Sequence, residues 1–152
     1  MKRLRFILFF VLVGLNLSSS KAQETHYSQG KILFLKQKSL INVEIAKTQK
    51  QREIGLMGRK KLALGNGMLF IFEKQGIQRV WMKNTLIPLD VIFLSAQGEI
   101  VSFFKKLQPC KSKKCPIYDS AENTKLMLEV NAGMIDRENI GIGDFIRLIL
   151  EL

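Results

Sequence analysis

The sequence predicts an all-β, mainly antiparallel fold: a single compact sandwich or barrel with one or two short helices. Three observations lead to this prediction. Eight short segments have strand-like patterns, turn signals separate them at short intervals, and only one helix is well signalled. A chain of 152 residues is long enough for one domain with a substantial core. The shortage of helices argues against an alternating β–α array.

The N-terminal residues have the pattern of a secretory signal peptide. A basic start at residues 2–5 is followed by an apolar run at residues 6–17, and Ala22 closes a small-residue cleavage site. The run is well short of the ~20 residues that span a bilayer. We therefore expect export to a periplasmic or secreted location, with no membrane span after cleavage. The expected organisation is a signal peptide at 1–22, a polar leader at 23–30 and a β-rich domain at 31–152.

The chain is strongly basic, with a formal net charge of +11. Four basic residues and no acidic ones lie in the first 22 residues, so cleavage would lower the charge to +7. Such a charge favours solubility, and it also attracts anionic surfaces such as a cell envelope. No nucleic-acid recognition motif accompanies it. We therefore expect no nucleic-acid partner and a monomer.

Two cysteines lie close together in PCKSKKCP. In an exported chain, an even number of cysteines favours a disulfide between Cys110 and Cys115. The alternative is half of a metal site, but zinc needs about four ligands. The only histidine of the chain, His26, lies in the polar leader. We expect the disulfide, and a modest stabilisation from it because the loop that it closes is short.

The first half of the domain combines strands with one capped helix. Ile41, Val43 and Ile45 alternate with polar or small residues, as in a half-buried strand. Thr48 and Gln51 have the spacing of a capping box, so a helix is expected to run to about Met57 and stop at Gly58. The strands predicted in this half are Lys31–Leu35, Leu40–Ala46, Met68–Phe72 and Ile77–Lys83.

The second half is read as strands and tight turns. Gln97-Gly98 predicts a hairpin, and a further short helix is expected within Ala132–Asn139. Leu126, Leu128 and Val130 alternate with Met127, Glu129 and Asn131, which predicts a strand with two distinct faces. The strands predicted in this half are Leu89–Leu94, Glu99–Phe104, Leu126–Asn131 and Phe145–Leu150.

Five ordered blocks of this sequence resemble a known family. They are GLMGR at 55–59, GMLFIF at 67–72, WMKNTLIPLD at 81–90, LEVNAG at 128–133 and GIGD at 141–144. Together they are similar to the family called domain of unknown function 192, over roughly residues 41–150. The resemblance implies a compact β-rich fold and, with the proline-flanked cysteine loop, an exported member. It implies no activity.

The segment 67–94 holds the best candidate for a site, because polar residues interrupt its apolar strands. Buried polar groups need partners or water. An indole offers a flat face for a sugar ring or a cation, and a lysine can contact a carboxylate or phosphate. The alternative is a core tryptophan beside an ordinary turn. The candidate ligand-binding residues are Trp81, Lys83, Asn84, Thr85 and Asp90.

Paired carboxylates offer an alternative, catalytic interpretation. Asp90 and Glu129 lie within apolar strands, where an isolated charge is costly. They would serve as acid and base on an envelope polysaccharide if they faced each other across a groove. The competing interpretation is that each carboxylate binds a lysine, an arginine or backbone amides. A nucleophile–histidine mechanism is not expected, since His26 lies outside the predicted strands.

No cofactor or metal is expected. Methionine thioethers can bind Cu(I), but these methionines lie in apolar patterns where methionine fills gaps. They are Met57, Met68, Met82, Met127 and Met134. The sequence therefore predicts a binding or interaction module of the cell envelope, not an enzyme, with a small-molecule, anionic or glycan-like ligand. The alternative is a carboxylate-dependent hydrolase or lyase acting on an envelope polymer.

Overall fold

A computed structural model describes residues 26–150 of the chain. Within these residues the fold is all-β, as predicted, with nine strands and two short helices. The strands are β1 Ser28–Phe34, β2 Ser39–Ala46, β3 Asn66–Gly76, β4 Arg79–Trp81, β5 Leu89–Leu94, β6 Ile100–Leu107, β7 Ile117–Asp119, β8 Thr124–Asn131 and β9 Ile146–Leu150. The helices are α1 Gln49–Ile54 and α2 Met134–Arg137.

Seven strands form one curled sheet in the order β6-β5-β8-β3-β2-β1-β9. All its neighbours are antiparallel except β2 and β3, which run parallel because α1 and its flanking loops carry the chain between them. The segments that begin the two edge strands meet each other. The Ile100 N–H donates to the Asp144 carbonyl at 2.8 Å, and the Ile146 N–H donates to the Gly98 carbonyl at 2.9 Å. The sheet therefore curls back on itself at this end.

The two faces of the sheet carry separate apolar cores. The inner face packs the alternating residues of β2 and β8, including Val43, Leu128 and Val130, against α2. The outer face packs Met68 and Phe70 of β3 beneath a covering layer. The alternation predicted for β2 and β8 is thus confirmed. Successive side chains of a central strand enter the inner and the outer core in turn.

The covering layer consists of α1 and the two-stranded sheet formed by β4 and β7. The predicted capping box is present: the Thr48 hydroxyl accepts from the Gln51 N–H, and the Gln51 side chain accepts from the Thr48 N–H. The helix ends at Gly55, three residues before the predicted stop. Gly55 adopts φ of 47°, and a Cβ there would lie 3.1 Å from the Phe70 ring. Close packing on β3 therefore requires glycine at this turn.

Other strand boundaries also differ from the prediction. β7 was not anticipated, because its three residues, Ile117–Asp119, are paired only with β4 and carry no periodic pattern. β1 begins at Ser28, inside the predicted leader, where Ser28 pairs with Ile45. β3 continues past a bulge to Gly76, which pairs with Thr124. These pairings are long-range contacts that local patterns do not report.

The disulfide between Cys110 and Cys115 is confirmed, with the two Cα atoms 5.9 Å apart. None of the helices within residues 26–150 is long and apolar enough to cross a membrane. The predicted signal peptide at 1–22 lies outside the described residues.

Candidate functional site

A cleft of about 270 Å³ opens between α1 and β4 on the outer face of the sheet. Phe70 and Phe72 of β3 and Trp81 of β4 supply aromatic surface. Glu129 of β8 lies among the lining residues on the sheet itself, while α1 contributes the polar side chains of the rim. The arrangement is an apolar, aromatic recess with one carboxyl group at its floor.

Glu129 occupies the centre of the sheet. It lies between Met68 of β3 and Val91 of β5, and both neighbours belong to the outer core. Only 6% of the residue is exposed, and no described residue hydrogen-bonds to its carboxyl group. Burial raises the pKa of Glu129 to about 8. The side chain is therefore largely protonated at neutral pH, a carboxylic acid that faces the cleft without a partner in the described part of the chain.

Trp81 forms one wall of the cleft and remains 46% exposed. Its neighbours alternate with it, because Val80 and Met82 are buried in the outer core. The Lys83 ammonium lies 5.0 Å from the centroid of the indole ring. Lys83 and Trp81 are thus brought together, and the cation–π contact holds the lysine beside the indole.

Asn84 and Thr85 form the turn that follows β4. Asn84 has φ of 57°, its N–H donates to the Cys110 carbonyl at 3.0 Å, and its carbonyl accepts from the Gly58 N–H at 2.9 Å. These backbone bonds give Asn84 a structural role. Thr85 is buried and lines the cleft. Of the two residues, only Thr85 reaches the candidate site.

Asp90 is fully buried on the opposite face of the sheet, because it pairs with Val130 of the inner core. Its two carboxylate oxygens accept from the Lys106 N–H at 2.8 Å and from the Ile135 N–H at 2.9 Å. Asp90 thus ties β5 to β6 and to α2. The structure does not bring Asp90 and Glu129 together across a groove, and backbone amides satisfy Asp90, as the competing interpretation proposed.

Two arginines lie at the rim, and neither pairs with Asp90 or Glu129, although an arginine was one of the partners considered for these carboxylates. Arg52 donates to the Ile71 carbonyl at 3.0 Å, pairs with Glu73 at 3.3 Å and lies over the Phe72 ring at 5.9 Å. Arg79 is more exposed and pairs with Asp119 at 3.3 Å. In the sequence these arginines are marked only by their positions in α1 and β4. Those positions indicate the cleft only once α1 is known to pack on β3.

The rim also carries a second carboxylate. Glu53 is exposed on α1, lines the cleft and accepts from the Gln49 side chain at 2.9 Å. It shares the cleft with Glu129, whereas Asp90 does not. The carboxylates that the fold brings to one recess are therefore Glu53 and Glu129, a pairing across α1 and β8 that strand patterns alone could not predict.

The methionines are mostly core residues. Met68, Met82 and Met127 are buried in the outer core and Met134 in the inner core, while Met57 lines the cleft. Across residues 26–150, no group of three or more histidine, cysteine or acidic residues is placed to hold a metal ion.

Two solved structures are similar to this chain. One, from Sinorhizobium meliloti 1021, is described as a candidate transcription regulator. It is 34% identical with a TM-score of 0.75, over 82% of this chain and 97% of that chain. The other, from Novosphingobium aromaticivorans DSM 12444, is described as a protein of unknown function. It is 27% identical with a TM-score of 0.71, over 78% of this chain and 83% of that chain.

No curated protein matches the chain. The model of the family described as Uncharacterized ACR, domain of unknown function 192, matches residues 32–148. This match covers most of the chain and includes all five of the sequence blocks that carried the resemblance. The chain belongs to the domain of unknown function 192 family.

Proposed function

We propose that the protein is an exported binding module that holds a glycan-like ligand in the cleft between α1 and β4. The observation that carries the proposal is Glu129, a largely buried carboxyl group that has no partner among residues 26–150 and lies at the floor of an open aromatic cleft. The oxygens of Glu129 are not among the fully enclosed polar atoms without a partner, so in the free protein they face water in the cleft. A ligand hydroxyl would supply the missing hydrogen bond.

The walls of the cleft suit a polyhydroxylated ring. The exposed indole of Trp81 offers a flat apolar face on which a sugar ring can stack. A protonated Glu129 both donates and accepts hydrogen bonds, as a sugar hydroxyl does. Arg52 and Arg79 at the rim provide positive charge for an acidic substituent. These features together favour a neutral or acidic sugar over a purely apolar ligand.

The size of the cleft limits the ligand. Its volume of about 270 Å³ lies just under the range of about 300–1,000 Å³ that is typical of small-molecule sites. The cleft therefore suits one sugar residue or the end of a chain. Export is supported by the signal-like N-terminal pattern and by the Cys110–Cys115 disulfide, which persists in oxidising compartments.

The sole tryptophan of the chain makes the test direct, because Trp81 forms a wall of the cleft. A panel of neutral, amino and acidic sugars and short oligosaccharides is titrated while Trp81 fluorescence is followed. At least one of them is expected to change the emission saturably, with binding confirmed by calorimetry. No response in either measurement across the panel would contradict the proposal.

Variants separate a binding role for Glu129 from a structural one. Glu129→Leu is expected to abolish calorimetric binding and to raise the melting temperature, since it replaces a largely buried, desolvated carboxyl group by an apolar side chain. Leu64→Ala changes an exposed apolar residue that does not line the cleft and serves as the control. If Glu129→Leu binds sugar normally, the cleft floor is not the site.

A carboxylate-dependent hydrolase acting on an envelope polymer is a second candidate. Glu129, with its pKa raised to about 8, holds the proton that a general acid needs, and Glu53 lines the same cleft. Glu129 would protonate the leaving glycosidic oxygen while Glu53 takes a proton from the attacking water. Release of reducing ends from a polysaccharide, lost in both Glu129→Gln and Glu53→Gln, would support it. If the protein binds sugar but releases no reducing ends, the result favours the binding module over the hydrolase.

A further inference from the structure

A basic and partly apolar surface lies on the β4–β7 layer, around the disulfide loop. We propose that this surface docks the protein onto an anionic lipid bilayer. The proposal goes beyond the ligand-binding function, because it concerns lysines that do not line the cleft. The disulfide-loop face consists of Trp81, Lys83, Lys111, Lys113, Lys114 and Ile117.

Backbone bonds hold the disulfide loop beside β4. The Cys110 N–H donates to the Met82 carbonyl at 3.1 Å, and the Asn84 N–H donates to the Cys110 carbonyl at 3.0 Å. At the other end of the loop, Ile117 pairs directly with Trp81. The loop is anchored at both ends, so its lysines are held next to Trp81 and Lys83.

The lysines of the loop are available to an external anion. Lys111, Lys113 and Lys114 are exposed and form no ion pair with any described residue. By contrast, Lys105 and Lys106 are both engaged by Asp136, at 2.6 Å and 3.0 Å. Between Cys110 and Ile117 the chain carries three lysines and no acidic residue. The positive charge of the loop is therefore not neutralised within the described domain.

Exposed apolar side chains point to a bilayer as the partner. Trp81 is 46% exposed and its cross-strand neighbour Ile117 is 60% exposed, and both line a second cleft. An indole sits favourably at the level of lipid headgroups, while lysines reach the phosphates and bury their methylene stems. A soluble polyanion would require only the charge. The combination is typical of a surface that lies on anionic lipid.

Vesicle binding tests this proposal. The described fold lies within residues 26–150, so the test uses residues 23–152, which lack the apolar N-terminal run. The protein is expected to cosediment with vesicles of equal parts phosphatidylglycerol and phosphatidylcholine but not with pure phosphatidylcholine, and Trp81 emission should shift to the blue. Replacing Lys111, Lys113 and Lys114 together by glutamine should weaken binding about 100-fold.

A matched variant controls for net charge. Lys38, Lys47 and Lys74 are exposed and form no ion pair among the described residues, and they lie in the β1–β2 turn, before α1 and in β3. Their triple replacement by glutamine should weaken vesicle binding far less. Ile117→Ser should abolish the part of the binding that survives high salt. Sugar titrations on the loop variant should be unchanged, which separates this proposal from the ligand-binding one.

Three results would overturn the proposal. The first is equal binding to charged and uncharged vesicles. The second is an equal loss in the two triple variants, since that would reflect general charge. The third is binding to inorganic polyphosphate without binding to vesicles, which would make the partner a soluble polyanion.

Discussion

Glu129 and Asp90 show how one residue position decides the role of a buried acid. Both lie in central strands and both are buried, which their apolar surroundings in the sequence did not decide. Asp90 pairs with Val130 and Glu129 with Val91, so neighbouring register positions send the two side chains to opposite faces. On the inner face two backbone N–H groups donate to the Asp90 carboxylate. On the outer face the Glu129 carboxyl group lines an open cleft. The strand alternation was readable from the sequence, but the register between β5 and β8 was not.

The raised pKa of Glu129 predicts a pH-dependent stability. The folded-state pKa of about 8 exceeds the ordinary value of 4.5, so the folded protein binds more protons than the unfolded chain between these values. The contribution of protonated Glu129 to the free energy of unfolding is complete below about pH 4.5 and is lost as the pH rises through 8. The free energy of unfolding should therefore fall by up to about 1.4 kcal/mol per pH unit across that window.

Glu129→Gln should remove this dependence. The difference in unfolding free energy between the variant and the natural chain, from urea titrations between pH 4 and 9, should grow in favour of the variant as pH rises. Glu53→Gln replaces an exposed acid of the same cleft and should leave the profile of the natural chain unchanged. A constant difference across the range would contradict burial as the cause.

Asp90 has the opposite character, because its two oxygens accept from two backbone N–H groups. In Asp90→Asn one of these amides would face an NH₂ donor and lose its acceptor. A buried group left without a partner costs about 1–3 kcal/mol. We expect that loss in urea unfolding, with sugar binding unchanged for the folded variant. Reduced affinity at unchanged stability would instead place Asp90 in the ligand site.

At the scale of elements, local signals predicted the elements whose contacts are local. The capping box at Thr48 was readable because all its atoms lie within one turn. The end of α1 was not, since Gly55 is required by contact with Phe70 of a distant strand. β7 escaped prediction for the same reason: its three residues are strand only through β4. The cleft, which forms where α1 and β4 meet, was therefore predicted only in part, through Trp81 and Thr85.

The capping box should stabilise the wall of the cleft measurably. Thr48→Ala removes the hydroxyl that accepts from the Gln51 N–H, and such a loss typically costs about 1 kcal/mol. Urea unfolding should show that decrease, and affinity for a cleft ligand should fall because α1 carries part of the rim. Lys50→Ala, on the same helix but outside the cleft and the cap, should change neither quantity. Equal effects of the two variants would argue against the cap.

The whole molecule consists of a seven-stranded sheet with a separately paired layer over its outer face, and this division could not be predicted from sequence. The parallel pairing of β2 with β3 and the meeting of the sheet edges near Ile100 and Ile146 join segments far apart in the chain. Alternation indicates that a strand has two faces, but it does not identify what covers each face. The resemblance to the family supplied the compact β-rich fold, while the position of the β4–β7 layer over the outer core came only from the structure.

This division predicts unequal hydrogen exchange. β3, β5 and β8 are central and flanked by strands on both sides, so their amides should exchange only through global unfolding. β4 and β7 share a three-residue pairing and should open locally. Mass spectrometry should find the slowest exchange in peptides covering 66–71, 89–94 and 126–131, and faster exchange in those covering 79–81 and 117–119.

A saturating cleft ligand should slow exchange in β4 and α1 while leaving β1 and β9 unaffected, because only the former elements wall the cleft. Equal protection of β4 and β8 in the free protein would contradict a separable layer.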